Sequence, residues 1–216
     1  MKIVTLPGVF APRSDSWMLA AAIALEAPEG RAVLDLCCGS GVIGIAAARA
    51  GASAVTAVDV SRRAVLTARI NARRNGVRVR ALRGRLFDAV GSERFDFIVS
   101  NPPYVPAPDG GIPVRGPERA WDAGRDGRAL LDEICERAPR HLRPGGAILL
   151  VHSSLIGVEP TLEALAASGL LPTVLERHEG PLGPLMTERA ELLRDRGLLE
   201  ADAESEEIVL IRATAP

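Results

Sequence analysis

The sequence contains few aromatic residues and few cysteines. Aromatic residues make up 3% of its 216 residues, and none of the three cysteines forms a CxxC pair. Cys37 and Cys38 are adjacent, so we expect neither disulfide bonds nor a metal site. No apolar run reaches the roughly 18 residues of a membrane helix, and the first residues do not resemble a signal peptide. These absences predict a cytoplasmic protein without a membrane partner.

The charge of the chain limits its expected partners, and its length limits the expected number of domains. The chain has 26 basic and 27 acidic residues, so no overall field draws it to nucleic acid, which we do not expect as a partner. With 47% hydrophobic residues, a chain of this length can bury a substantial core. We therefore predict a single domain over residues 1–216.

Short β-branched runs alternate with longer stretches rich in alanine, leucine and arginine. This pattern is typical of βαβ units and a parallel sheet. The predicted strands are Arg31–Leu36, Ala54–Val58, Val77–Leu82, Phe95–Ser100, Ala147–His152, Thr173–Arg177 and Glu207–Arg212. The predicted helices are Ser14–Ala27, Val42–Ala50, Arg62–Asn75, Gly127–His141, Glu159–Ser168 and Leu185–Arg196. Val77–Leu82 alternates valine with arginine, which predicts an edge strand, and Pro144–Gly146 predicts a turn before the fifth strand.

Two segments do not follow this alternation. Tyr104–Arg125 is rich in proline and glycine and has no periodicity, which favours a functional loop. Gly180–Ser205 separates the last two strands and contains an amphipathic stretch. The simplest interpretation is a helix on the flank of the sheet. The alternative is an insert that forms part of a platform for a substrate or partner.

A glycine-containing turn follows the first predicted strand and leads into a helix. Asp35 ends the strand, and Gly39 and Gly41 let the backbone turn tightly and approach a ligand. Asp59 ends the second strand, where a carboxylate can bind a ribose diol. The segment Gly39–Gly44 fits the GxGxxG pattern of dinucleotide sites. However, Asp35 would repel a pyrophosphate and attract an ammonium or sulfonium group, which favours S-adenosylmethionine over NAD.

Four consecutive residues after the fourth strand carry the strongest chemical indication. Asn101, Pro102, Pro103 and Tyr104 must face the same cleft as Gly39, because ligands bind beyond the carboxyl ends of such strands. The Asn101 side-chain oxygen and the Pro102 carbonyl can each accept an N–H from a planar nitrogen, and Tyr104 can stack on it. These residues predict a site that methylates an amide or an exocyclic amine.

The motifs DLCCGSG, AVD and SNPPY resemble those of the HemK/PrmC group of class I S-adenosylmethionine-dependent methyltransferases. That group methylates the glutamine of a Gly-Gly-Gln motif in peptide-chain release factors. PRSDS, ERAWDAGRDGR and RPGG extend the resemblance over residues 9–152. The resemblance implies a Rossmann-like, seven-stranded, mostly parallel sheet with helices on both faces. The short length resembles the eukaryotic and archaeal branch, whose members often need a small zinc-binding activator subunit beside the third strand.

The resemblance also implies roles for individual residues. The catalytic set would be Asn101, Pro102 and Tyr104, and the cofactor set Ser16, Asp35, Cys37, Gly39, Gly41, Asp59, Arg85, Leu86 and Asn101, with no metal. Within the cofactor set, Asp35 and Gly39 would line the methionine end, Asp59 would bind the ribose and Leu86 would cover the adenine. Cys37 replaces a glycine of the family, and Arg85 replaces a carboxylate that commonly accepts the adenine amino group. Asp88 lies near enough in sequence to compensate.

Several other functions fit the same residues. An adenine amine of DNA or RNA suits the motif after the fourth strand, although the balanced charge and the lack of a basic tail disfavour it. A small-molecule acceptor is also compatible. A cofactor-binding scaffold without catalysis is indicated only by Cys37 and Arg85.

Overall fold

The computed structural model describes residues 1–26 and 28–216, and within these residues seven strands form one sheet. The strands are β1 (Ala32–Leu36), β2 (Ala54–Asp59), β3 (Arg80–Arg83), β4 (Phe95–Ser100), β5 (Leu142–Ser153), β6 (Leu171–Pro181) and β7 (Ser205–Thr214). Their order is β3-β2-β1-β4-β5-β7-β6, and β7 alone runs antiparallel to its neighbours. The expected seven-stranded, mostly parallel sheet is confirmed, and β3 lies at an edge as predicted.

Helices cover both faces of this sheet. They are α1 (Ser14–Leu25), α2 (Val42–Arg49), α3 (Arg62–Arg74), α4 (Ala129–His141), α5 (Val158–Ala167), α6 (Pro184–Glu188) and α7 (Ala190–Asp195). Leu34 of β1 packs into a core with α4 and α5, whereas Val33 packs into the opposite core with α1 and α2. The central strands are continuously hydrophobic because both of their faces are buried. None of the helices in the described residues is both long and apolar enough to span a membrane.

Several predicted boundaries differ from the structure; the third strand, for example, begins at Arg80 and not at Val77. Pro144–Gly146 lies inside β5, where an irregularity in the pairing with β4 absorbs the extra residues, so the predicted turn is wrong. The single helix expected at Leu185–Arg196 is broken at Arg189, whose φ of −107° and ψ of 14° leave the helical region. The first helix ends at Leu25, and its predicted end at Ala27 lies outside the described residues.

The insert between β6 and β7 packs against the loop that follows β4. Met186, Leu193 and Leu199 of the insert form a buried cluster with Val105 of the loop. Arg196 adds hydrogen bonds from its guanidinium to main-chain carbonyl oxygens of that loop, at 2.9 Å from Ala107, 2.9 Å from Pro108 and 2.6 Å from Arg125. The insert therefore holds the loop in place instead of lying on a face of the sheet.

One ion pair fixes the insert to the loop more firmly than a surface pair would. Arg189 donates to Asp122 and, at 2.8 Å, to the Pro106 carbonyl; the two charged side chains are 12% and 6% exposed. Arg189→Ala leaves a buried carboxylate without its partner, so we expect a loss of about 3–5 kcal/mol in the free energy of unfolding. The exposed pair of Arg177 with Glu207 is the control, and Arg177→Ala should cost less than about 1 kcal/mol. Equal losses in urea unfolding of the two variants would contradict this assignment.

Candidate active site

A cavity of about 310 Å³ lies beyond the carboxyl ends of β1, β2 and β4. Its wall combines the turn after β1, the end of β2, the segment after β3, the segment after β4 and the loop that follows. The predicted site residues in this wall are Ser16, Cys37, Gly39, Asp59, Arg85, Leu86 and Asn101. The other predicted residues lie nearby: Asp35 is buried under the turn, Gly41 begins α2, and Pro102 and Tyr104 line a second, adjoining cavity.

Backbone strain is concentrated in the wall of the first cavity. The only non-glycine residues with positive φ in the described chain are Cys37, at 56°, and Leu86, at 44°. Such values are unfavourable for residues with a Cβ and persist where the surrounding structure holds them, commonly at ligand sites. Burial raises the pKa of the Cys37 thiol, so this residue remains neutral and is a wall residue, not a nucleophile.

The glycines of the turn have different tasks. Gly39, with φ of 50°, lines the cavity and donates its N–H to Asp59 Oδ2 at 3.0 Å. Gly41 has φ of 79°, and a Cβ there would lie 2.9 Å from the Cβ of Ala68 in α3. Gly41 therefore allows α2 and α3 to pack closely and contributes to the site only by fixing the course of the turn.

The Asp59 carboxylate connects the turn to the end of β2. Besides the bond to Gly39, its Oδ1 accepts from the Ser61 N–H at 2.8 Å. Burial raises the pKa of Asp59, and the two N–H groups oppose this change. Each carboxylate oxygen has a second lone pair, so Asp59 can still accept hydrogen bonds from two hydroxyl groups of a ligand.

The residues around the expected adenine position form ion pairs of their own. Arg85 pairs with Glu133 of α4, and Asp88 accepts from Arg137 at 2.6 Å. Asp88 is outside the cavity wall and engaged elsewhere. The idea that Asp88 replaces the missing carboxylate is therefore not supported. A base in this part of the cavity would be held mainly by packing, with Leu86 as the principal apolar contact.

Asp15 belongs to the candidate site, although no motif in the sequence predicts a role for it. This residue is 4% exposed, and its Oδ1 accepts from the Ser16 N–H at 2.6 Å and the Ser16 hydroxyl at 3.2 Å. Its Oδ2 accepts from the Tyr104 hydroxyl at 2.9 Å. Only its place beside Ser16 in the PRSDS segment pointed towards it. No spacing rule connects the start of α1 with a tyrosine 89 residues later.

The same network orients the Asn101 amide. Asn101 Nδ2 donates to the Ser16 hydroxyl at 3.1 Å, which directs the nitrogen of the amide towards α1. The Asn101 side-chain oxygen is then the atom that can accept from a ligand where the two cavities meet. Burial and the neighbouring Asp15 raise the pKa of Tyr104, so its phenol remains protonated. Asp15 thus acts as a positioning residue for both side chains.

Asp35 lies beneath the turn with no exposed surface, which differs from its expected place in the cavity wall. Its Oδ2 accepts from the Gly44 N–H at 2.9 Å, whereas Oδ1 has no partner among the described residues. Burial, opposed by the Gly44 N–H and reinforced by Asp59, raises the pKa of Asp35 to about 7. A cationic group above the turn would lower this pKa and favour the ionised carboxylate, so Asp35 is compatible with a sulfonium-containing cofactor.

Asp35 should make the stability depend on pH. In the folded protein its carboxyl stays protonated up to a pH of about 7, whereas the unfolded chain loses this proton near the ordinary pKa of 3.8. Stability from this group is therefore complete below about pH 4 and is lost as the pH rises to about 7, by about 4 kcal/mol. Asp35→Asn should remove this change. Denaturant unfolding of both proteins across this range tests it, and parallel curves would contradict it.

Comparisons with known proteins agree with this geometry. Residues 1–109 match the methyltransferase small domain family. A Methanocaldococcus jannaschii protein, whose name proposes N5-glutamine methyltransferase activity, is 33% identical over 86% of this chain and 93% of its own length. Release factor glutamine methyltransferases of Geobacter sulfurreducens and Bordetella pertussis are 38% and 42% identical over 69% and 68% of this chain. These matches cover 55% and 57% of the two proteins, so the chain spans about half their length.

Solved structures show the same fold. The chain aligns with the Thermus thermophilus 16S rRNA N2 G1207 methyltransferase, in complex with AdoMet and guanosine, with a TM-score of 0.63 and 25% identity over 98% of this chain and 46% of that one. It aligns with the E. cuniculi Mtq2–Trm112 complex with a TM-score of 0.66 and 21% identity, over 97% of this chain and 99% of that one. The second similarity concerns the fold alone.

Proposed function

The chain belongs to the methyltransferase small domain family of S-adenosylmethionine-dependent enzymes, and we propose that it methylates the side-chain nitrogen of a glutamine in a protein substrate. One observation carries the choice of a planar nitrogen: Asn101 lines both cavities, and its side-chain nitrogen donates to Ser16, which leaves the oxygen free to accept from a ligand. The names of the M. jannaschii and G. sulfurreducens relatives support glutamine as the acceptor.

The residues of the first cavity suit S-adenosylmethionine. When bound, this cofactor supplies an electrophilic methyl group on a sulfonium. Asp59 would accept hydrogen bonds from the ribose, the turn at Gly39 would contact the methionine end, and Leu86 would pack on the adenine. A positive charge bound above the turn would favour the ionised form of the Asp35 carboxyl beneath it.

The role of the protein is to orient the substrate amide, whose nitrogen lone pair is delocalised. The Asn101 oxygen and the Pro102 carbonyl would each accept one N–H of the substrate amide, which directs its lone pair into the first cavity. Positioning of this kind supplies much of the rate enhancement of transfer reactions. A strong base is not required, because the nitrogen becomes acidic as it is alkylated and releases its proton to water.

The names of similar proteins support a particular substrate and partner. We infer that the substrate is a peptide-chain release factor, since the G. sulfurreducens and B. pertussis proteins carry that name. A small zinc-binding subunit is the proposed activator. Its counterpart is Trm112 in the E. cuniculi complex, which is responsible for methylation of the termination factor eRF1. The β3 edge, which pairs only with β2 in the described sheet, offers it a place to dock.

A labelled cofactor tests the proposal directly. The protein is incubated with methyl-labelled S-adenosylmethionine and a panel of purified release factors, with and without a candidate activator. We expect label in a release factor and none in total RNA or free adenine nucleotides. Label in RNA alone, or in no protein of the panel under either condition, would contradict the proposal.

A further inference from the structure

A second cavity of about 140 Å³ adjoins the first one at Asn101 and Pro103. Its walls come from Tyr104, from Trp121 in the loop after β4, from the start of α6 and from the start of β7. The insert between β6 and β7 is thus one wall of a space beside Asn101.

Glu206 of β7 lines this cavity and is 7% exposed. Its Oε1 accepts from the Gly183 N–H at 2.7 Å, which fixes the carboxylate. Its Oε2 is shielded from solvent and has no hydrogen-bond partner among the described residues. A buried carboxylate oxygen without a partner is costly, and such groups commonly have a binding role.

Trp121 contributes a second unused group to the same cavity. Its Nε1–H is also shielded from solvent and has no acceptor in the described part of the chain. The residue is held by its main chain, since its carbonyl accepts from the Val105 N–H at 2.8 Å. The wall of the cavity therefore contains two residues with an unpartnered polar atom, an acceptor on Glu206 and a donor on Trp121.

A main-chain amide group supplies the complement of both, because it carries one carbonyl oxygen and one N–H. A cationic side chain would satisfy Glu206 but leave the Trp121 N–H without an acceptor. A cation is already present in the wall, since Arg13 lines the cavity with its guanidinium 5.3 Å from the centre of the Phe10 ring. The unpartnered acceptor on Glu206 and the unpartnered donor on Trp121 thus favour a neutral peptide segment over a basic one.

We propose that Glu206 and Trp121 form a subsite that binds main-chain amide groups next to the methyl-acceptor glutamine. This inference rests on the proposed function, because it takes glutamine within a polypeptide as the acceptor. Glu206 accepts an N–H and Trp121 donates to a carbonyl, while Asn101 binds the side-chain amide. The enzyme thereby distinguishes a glutamine in a peptide chain from a free primary amide.

Two small molecules separate the binding of main-chain amide groups from the binding of the side-chain amide. N-acetylglutamine N-methylamide carries a peptide group on each side of the glutamine, whereas butyramide carries only the terminal amide. Their dissociation constants are measured by NMR titration with saturating S-adenosylhomocysteine, so that no methyl group is transferred. We expect the blocked glutamine to bind at least about tenfold more tightly than butyramide.

Glu206→Gln keeps the shape and an acceptor for Gly183 but turns the free oxygen into a donor, and Trp121→Phe removes the indole N–H. Each should remove most of the tenfold preference and leave butyramide affinity unchanged. The matched controls are Glu207→Gln, on the exposed neighbour that pairs with Arg177, and Trp17→Phe, at a residue that is 41% exposed. Both controls should keep the preference.

Equal affinities of the two probes for the parent protein would overturn the subsite, as would equal behaviour of Glu206→Gln and Glu207→Gln. If Trp121→Phe fails to fold, the comparison of Glu206→Gln with Glu207→Gln alone tests the subsite. Replacing S-adenosylhomocysteine by S-adenosylmethionine separates the two proposals. If the blocked glutamine binds preferentially but no glutamine is methylated, the proposed function is wrong and the subsite stands. If a glutamine is methylated without preferential binding, the subsite is wrong and the proposed function stands.

Discussion

Replacing Asn101 by alanine should lower kcat by about 10²-fold or more while the dissociation constant for S-adenosylmethionine changes by less than about threefold. The Asn101 oxygen is directed to the junction of the cavities by the bond from its nitrogen to Ser16. Loss of one well-placed hydrogen-bonding group in a transition state typically costs this much in rate. Steady-state kinetics with an unmethylated release factor as substrate and calorimetry with the cofactor measure the two quantities.

Ser16→Ala is the companion variant for this prediction. It leaves the Asn101 side chain intact and removes the hydroxyl that holds its nitrogen. We therefore expect a smaller fall in kcat than for Asn101→Ala. Turnover of Asn101→Ala at the parent rate would contradict the mechanism, and a larger effect of Ser16→Ala would move the catalytic role to Ser16.

Replacing Asp59 by alanine should weaken the binding of S-adenosylmethionine by about two to four orders of magnitude. Two hydrogen bonds from ribose hydroxyls to a carboxylate are each worth about 1.5–3 kcal/mol, and each 1.4 kcal/mol is about tenfold in affinity. Two further donors, the N–H groups of Gly39 and Ser61, lose their acceptor in this variant. The turn that shapes the cavity therefore loosens as well, which places the expected loss in the upper part of that range.

Asp88→Ala is the matched control for Asp59→Ala. Asp88 is an exposed carboxylate close to the same cavity but outside its wall, and it pairs with Arg137. Its removal should leave cofactor affinity within about twofold. Unchanged binding by Asp59→Ala, or an equal loss in both variants, would place the ribose elsewhere.

The position of the site followed from the sequence because it depends on local patterns. Hydrophobic runs such as Ala32–Leu36 located the parallel strands, and their carboxyl ends brought Gly39, Asp59 and Asn101 to one edge of the sheet. Ligand positions in such sheets follow from strand order alone. The sequence therefore sufficed to place these three residues at one cleft.

The features that could not be predicted from the sequence depend on contacts between segments that are distant in the chain. Asp15 joins Ser16 and Tyr104 only because α1 packs beside the end of β4, and Glu206 meets Gly183 only after the insert has folded back on the loop. The break at Arg189 has the same origin, since the periodic apolar pattern predicted one continuous helix while the side chain pairs with Asp122. Local propensity does not contain such information.

The central claim is that this site methylates a glutamine nitrogen held by Asn101, and locating the transferred methyl group tests it most directly. A release factor is incubated with isotopically labelled S-adenosylmethionine and either the parent protein or Asn101→Ala, and tandem mass spectrometry assigns the labelled atom. We expect one methyl group on a glutamine side-chain nitrogen with the parent protein and almost none with Asn101→Ala. Label on another residue type, or equal label from both proteins, would contradict it.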